Sequence, residues 1–134
     1  MHDHNIRQEI KVTLEGDPLH QQGNWLLTSH FSLCRNPRVE VWDLFRRQKF
    51  LDYTEYPGLP DFVCTTRERG KASVHLVELE THLTKKNLDK KLLQFRRIGV
   101  DTIDIVNLED CEDQTDWVKL SRFILGKLSF VGEV

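Results

Sequence analysis

A chain of 134 residues has room for one domain with its own core and no room for a second of similar size. Its formal net charge of -2 excludes a surface that is basic throughout, and 39% hydrophobic beside 30% charged residues are globular proportions. No apolar run approaches a membrane span, and Met1-His2-Asp3-His4-Asn5 leads into polar sequence without an apolar segment, so the expected setting is cytoplasmic, away from membranes.

In chain order, Ile6, Ile10 and Leu14 sit at helical spacing and predict a short helix ending before Gly16-Asp17-Pro18. Residues 19–34 have no clean period and contain Gln21-Gln22-Gly23-Asn24, which predicts a loop around Trp25-Leu26-Leu27. Asn36-Pro37 offers a cap and a first-turn proline, predicting a helix over 37–48. The alternating aromatics of 50–56, closed by Pro57-Gly58, predict a first strand. Residues 61–66 and 73–80 predict a second and third, joined by the basic loop Arg67-Glu68-Arg69-Gly70-Lys71. From Asn87 as cap, Leu88, Leu92, Phe95 and Ile98 mark a helix that Gly99 ends. The alternation of 102–108 predicts a fourth strand. Trp117, Leu120, Phe123 and Ile124 stripe a last helix capped by Thr115 or Asp116. That stripe is expected to pack on the sheet, with the exposed positions around Trp117 and Phe123 as the alternative surface for a second copy of the chain.

The chemistry concentrates on the hairpin. Along a strand alternate side chains share a face, so Glu78 and Glu80 project together, and symmetric pairing about the basic loop sets Asp61 opposite or nearly opposite Glu78. Three carboxylates in one small region repel one another unless a cation, a metal or raised pKa values compensate. Hard divalent ions such as Mg²⁺ or Mn²⁺ take this kind of oxygen donor. A solvated charged face is the plain alternative.

Cys34, Cys64 and Cys111 are odd in number and far apart, predicting neither disulfides nor a structural zinc site. The six histidines are scattered, and packing or surface roles are expected for them, His75 and His82 beside the acidic strand included. Basic residues gather around the acidic segment, at Arg67, Arg69 and Lys71, at Lys85, Lys86, Lys90 and Lys91, and at Arg96 and Arg97.

Helix, three strands, helix, strand, with Pro60-Asp61 opening the second strand and Glu78-Leu79-Glu80 closing the third, resembles the PD-(D/E)XK nuclease superfamily over residues 36–108. More narrowly, Asp61-Phe62-Val63 followed by Leu76-Val77-Glu78-Leu79 is similar to the nuclease domain of Shedu-type antiphage defence proteins. The resemblance implies a restriction-endonuclease-like αβββαβ core in an α/β fold, one domain over 1–134, with a mixed four-stranded sheet flanked by helices and helical additions at both termini. It implies a metal-dependent endonuclease acting on DNA, in genome defence or nucleic-acid processing; RNA is the alternative substrate, since cap-snatching viral endonucleases are similar in fold and acidic pattern. Asp61 and Glu78 would be ligands for Mg²⁺ or Mn²⁺, with Glu40 as a helix-borne third. Glu80, Gln94 and Lys91 would complete the catalytic set, and Arg67, Arg69, Lys71, Lys85 and Lys86 would hold the backbone. A homodimer would reach both strands.

One departure stands out: Glu80 occupies the place where the family usually has Lys. A few members of the superfamily carry Glu there and are active through a second metal or a water held by that Glu; otherwise Lys85, Lys86 or Lys91 supplies the missing cation, or the fold has lost catalysis and serves as a binding module.

Overall fold

The computed structural model describes residues 17–33, 38–51 and 60–131. The helix expected from Ile6, Ile10 and Leu14 lies outside them, as do Cys34 and the Asn36-Pro37 cap.

The first described element is a helix where a loop was expected, α1 (Pro18–Leu33). Asp17-Pro18 starts this helix: the Asp17 carboxylate accepts from the His20 backbone N–H at 3.3 Å, and proline suits the first turn. Gly23, read as a loop residue, is buried inside the helix, where a Cβ would lie 3.1 Å from Leu108 and 3.3 Å from Leu79. The glycine marks close approach to the sheet, not a turn.

The helix expected over 37–48 divides in two. Val39-Glu40-Val41 forms the edge strand β1, and α2 (Leu44–Leu51) begins after Asp43, whose carboxylate caps it by accepting from Arg46 N–H at 2.8 Å. β-Branched alternation outweighs the upstream capping signal. Phe50 and Leu51, expected to open a strand, end α2, and Phe50 packs edge-on against Trp42 at 5.0 Å; 52–59 lie outside the described residues.

The remaining elements follow the sequence closely. The hairpin is β2 (Phe62–Glu68) and β3 (Lys71–Glu80), joined by Arg69-Gly70 alone, with φ of 51° and 78°. Two successive positive φ values make the tight turn whose twist matches the strands, so the expected five-residue loop shrinks to two. Next come α3 (Lys85–Arg96), β4 (Thr102–Asn107) and α4 (Trp117–Lys127). Thr84, not Asn87, caps α3, its hydroxyl accepting from Asn87 N–H at 3.2 Å. Asp116 caps α4.

The sheet is open and mixed, in the order β1-β2-β3-β4, with β1, β2 and β3 antiparallel and β4 parallel to β3. β3 is therefore central, with apolar runs covered on both faces. Phe62, Cys64, Val77 and Leu79 point toward Leu27 of α1 and Leu120 and Ile124 of α4. Val63 and Leu76 point toward Phe95 of α3 and Trp42. This is an α/β fold with helices on both sides of a four-stranded mixed sheet. Among the described residues no helix is long and apolar enough to cross a membrane.

Candidate metal centre

The register Phe62↔Val77 brings Asp61, one residue before β2, to the level of Glu78. The hairpin therefore gathers the two carboxyls, and α1 adds a third donor: ligand atoms of His20, Asp61 and Glu78 all lie within 4.8 Å of one another. His20 Nε2 is 3.1 Å from Asp61 Oδ2, and the same oxygen accepts from Leu79 N–H at 2.7 Å. The Asn24 side-chain amide contacts His20 Nδ1 at 3.1 Å, one helical turn on. Sequence reasoning missed His20 because α1 was read as loop; its Asp17-Pro18 start was the available signal.

Two contacts fix the cluster from outside. Arg47 of α2 donates from Nη1 to the carbonyls of Pro60 at 2.9 Å and Asp61 at 2.7 Å, clamping the backbone that presents Asp61. The Asp17 carboxylate accepts from the Thr81 hydroxyl, tying the start of α1 to the end of β3.

Lys91 reaches in from α3. Its Nζ lies 3.1 Å from Glu78 Oε2 and 2.7 Å from Glu80 Oε1, bridging both acids. Gln94, three residues further on, shares that helical face and is half-buried.

The electrostatics are those of a crowded acid pair. Burial is the main force pushing Glu78 up, to about 9, and the hydrogen bond to Asp61 adds to it. Burial also pushes Asp61 upward, but its hydrogen bonds from His20, Glu78 and Leu79 N–H outweigh that and hold it below the ordinary carboxylate value. The Asp61 hydrogen bond raises His20. The pair thus holds a proton on Glu78 at neutral pH, where a cation could sit instead.

Other expected site residues lie elsewhere. Glu40 is on edge strand β1, not on a helix; it is exposed, opposite Thr65 and ion-paired to Arg46. Arg67, Arg69 and Lys71 do not surround the carboxylates. A ten-residue strand at about 3.3 Å per residue keeps its ends about 30 Å apart, and they occupy the opposite end from Glu80. Lys85 and Lys86 lie in the first turn of α3, exposed, five and six residues after Glu80. His75 is buried, its ring nitrogens 2.7 Å from the Thr66 hydroxyl and 2.6 Å from that of Thr102. His82 pairs with Glu109 at the surface. Cys64 and Cys111 are buried free thiols, and burial pushes Cys64 up to about 12.

No protein-family model, curated protein or solved structure matches this chain.

Proposed function

We propose that the chain is a metal-dependent phosphodiester hydrolase of the PD-(D/E)XK type, an endonuclease acting on DNA. The observation that carries this reading is the convergence of Asp61, Glu78 and His20 with the Lys91 ammonium at the end of the central hairpin. The element order, with antiparallel β1-β2-β3 and parallel β4 after a crossover helix, supports it.

His20 Nε2 and one oxygen each of Asp61 and Glu78 would hold a divalent ion, for which one imidazole and two carboxylates favour Mn²⁺ over Mg²⁺. The proton held on Glu78 fits such a site, because a cation can take its place. When bound, the ion supplies Lewis-acid activation of a phosphodiester and a more acidic water. Turned so that its oxygen accepts from Nδ1–H, the Asn24 amide leaves Nε2 available as the donor atom.

The chain's own residues carry the rest. Lys91 Nζ, carried by α3, faces Glu80 Oε1 and would supply the cation that a strand lysine supplies in the superfamily this chain resembles. Glu80 orients the attacking water and takes its proton as the water oxygen bonds to phosphorus. Lys91 balances the charge gathering on the phosphate oxygens as the bond to the leaving oxygen breaks. Lys85 and Lys86, at the same end of the sheet, contact flanking phosphates without reading bases.

A second reading has one observation behind it: Lys91, within 3.1 Å of Glu78 and 2.7 Å of Glu80, already brings a positive charge to this acidic pocket without metal. In that case the fold is a catalytically inactive module that binds nucleic acid or protein. Plasmid nicking with Mg²⁺, Mn²⁺ and EDTA separates the two. Nicking with metal that is lost in EDTA and in Glu80→Ala and Lys91→Ala supports the hydrolase. A parent that nicks with neither metal is an inactive module.

A further inference from the structure

The far end of the β2–β3 hairpin holds a cleft that the carboxylate cluster does not use. A cavity of about 850 Å³ is lined by Arg38, Arg67, Arg69 and Lys71 with Thr66 and Ser73. It runs into a second of about 370 Å³, which shares Arg38, Thr66 and Ser73 and ends at His75 and Phe130. Lys71, Ser73 and His75 fall on every second position with Val77 and Leu79, so they share the α1 and α4 face, whereas Glu78 and Glu80 share the α3 face with Val74 and Leu76. The cleft is thus at the other end and on the other side of the sheet from the carboxylates.

Among the described residues Arg67, Arg69 and Lys71 line this cleft beside Arg38 and one acid, Glu68, in a chain whose net charge is -2. Among the described residues Lys91, Lys119 and Arg46 pair with acids, but Arg67, Arg69 and Lys71 have no such ion pair. The tight Arg69-Gly70 turn fixes the spacing of the cationic backbone positions, and stacking of His75 on Phe130, 4.4 Å between centroids, closes the deep end. Clustered guanidinium groups with hydroxyls beside them suit phosphate oxygens, and the volume is that of a ligand pocket rather than a single-ion site.

We propose that this cleft is a second anion site, independent of the hydrolase reading, that takes successive phosphate groups. Two sources offer that chemistry, a free polyphosphate such as the tail of a nucleoside triphosphate, and the backbone of a nucleic-acid strand.

The test is binding in EDTA at low salt, with labelled oligothymidylate followed by anisotropy and inorganic tripolyphosphate by calorimetry. The parent is expected to bind at least one. Arg69→Gly combined with Lys71→Ala, which keeps the turn, should weaken binding about tenfold and, for the oligonucleotide, lower the salt slope by about 1.4. Glu68→Gln should strengthen binding, a gain that misfolding cannot imitate. Lys119→Ala, a loss of positive charge on α4 away from both sites, should leave it unchanged. Tripolyphosphate binding that displaces the oligonucleotide assigns a free polyphosphate, and oligonucleotide binding without it assigns a strand. A parent that binds neither, or an Arg69→Gly/Lys71→Ala variant that binds as the parent does, overturns the proposal.

Discussion

Glu78 is the residue on which the site's energetics turn. Its folded-state pKa, about 9, stands above the ordinary 4.5, so the folded protein keeps a proton there that the unfolded chain releases. The stability this group contributes is therefore complete below about 4.5 and is lost as pH rises toward about 9. In metal-free buffer the urea midpoint is expected to fall across that window, and Glu78→Gln, which cannot ionise, should flatten the fall. A midpoint equally steep in Glu78→Gln would place the titration elsewhere. His75 runs oppositely. Burial lowers its pKa from 6.5, so its contribution is present above 6.5 and is lost as pH falls through the lower folded value. The meeting of Asp61 and Glu78 was legible because a hairpin's register can be counted from its turn. His20 was not, because its partner lies 41 residues away and only the packing of α1 on the sheet joins them.

At the level of elements, the glycines of α1 and α4 separate close packing from open surface. A Cβ on Gly23 would meet Leu108 and Leu79 within 3.3 Å, whereas a Cβ on Gly126 would have nothing within 4 Å. Gly23→Val is expected to cost about 1–3 kcal/mol through overpacking. Gly126→Ala should instead gain about 0.5–1 kcal/mol from helix propensity alone. Urea denaturation of the two variants checks both signs. The same packing explains which elements the sequence revealed. β2, β3, α3, β4 and α4 carry strong internal periods, so local pattern sufficed. α1 is a helix despite Gln-Gln-Gly-Asn because tertiary contact of Gly23 with the sheet outweighs its local propensity. β1 holds only three residues, and its pairing with β2, Val39↔Thr66 to Val41↔Cys64, has no signal within 39–41 beyond β-branching.

Across the whole molecule, charge is divided between the two ends of the sheet, with acids and Lys91 at one and the arginine-lined cleft at the other. On the helical side, Trp25 of α1 and Trp117 of α4 meet edge-on at 5.6 Å, both more than half exposed, while Phe123 packs against the core. The stripe expected on the last helix packs on the sheet through Leu120, Phe123 and Ile124, while Trp117 stays at the surface beside Trp25. The charge division makes metal binding separable from anion binding, and it can be read through global stability. A ligand taken only by the folded state at one hundred times its Kd adds about 2.7 kcal/mol. The most direct measurement is thermal melting with increasing Mn²⁺ for the parent and for Asp61→Asn, in which the side-chain oxygen can still accept from Leu79 N–H. The expected result is a Tm that climbs with Mn²⁺ in the parent and stays flat in Asp61→Asn, with the metal-free variant melting somewhat below the parent because hydrogen bonds that favour the Asp61 carboxylate are lost. A parent Tm indifferent to Mn²⁺, or one that climbs equally in Asp61→Asn, contradicts a divalent ion held by His20, Asp61 and Glu78.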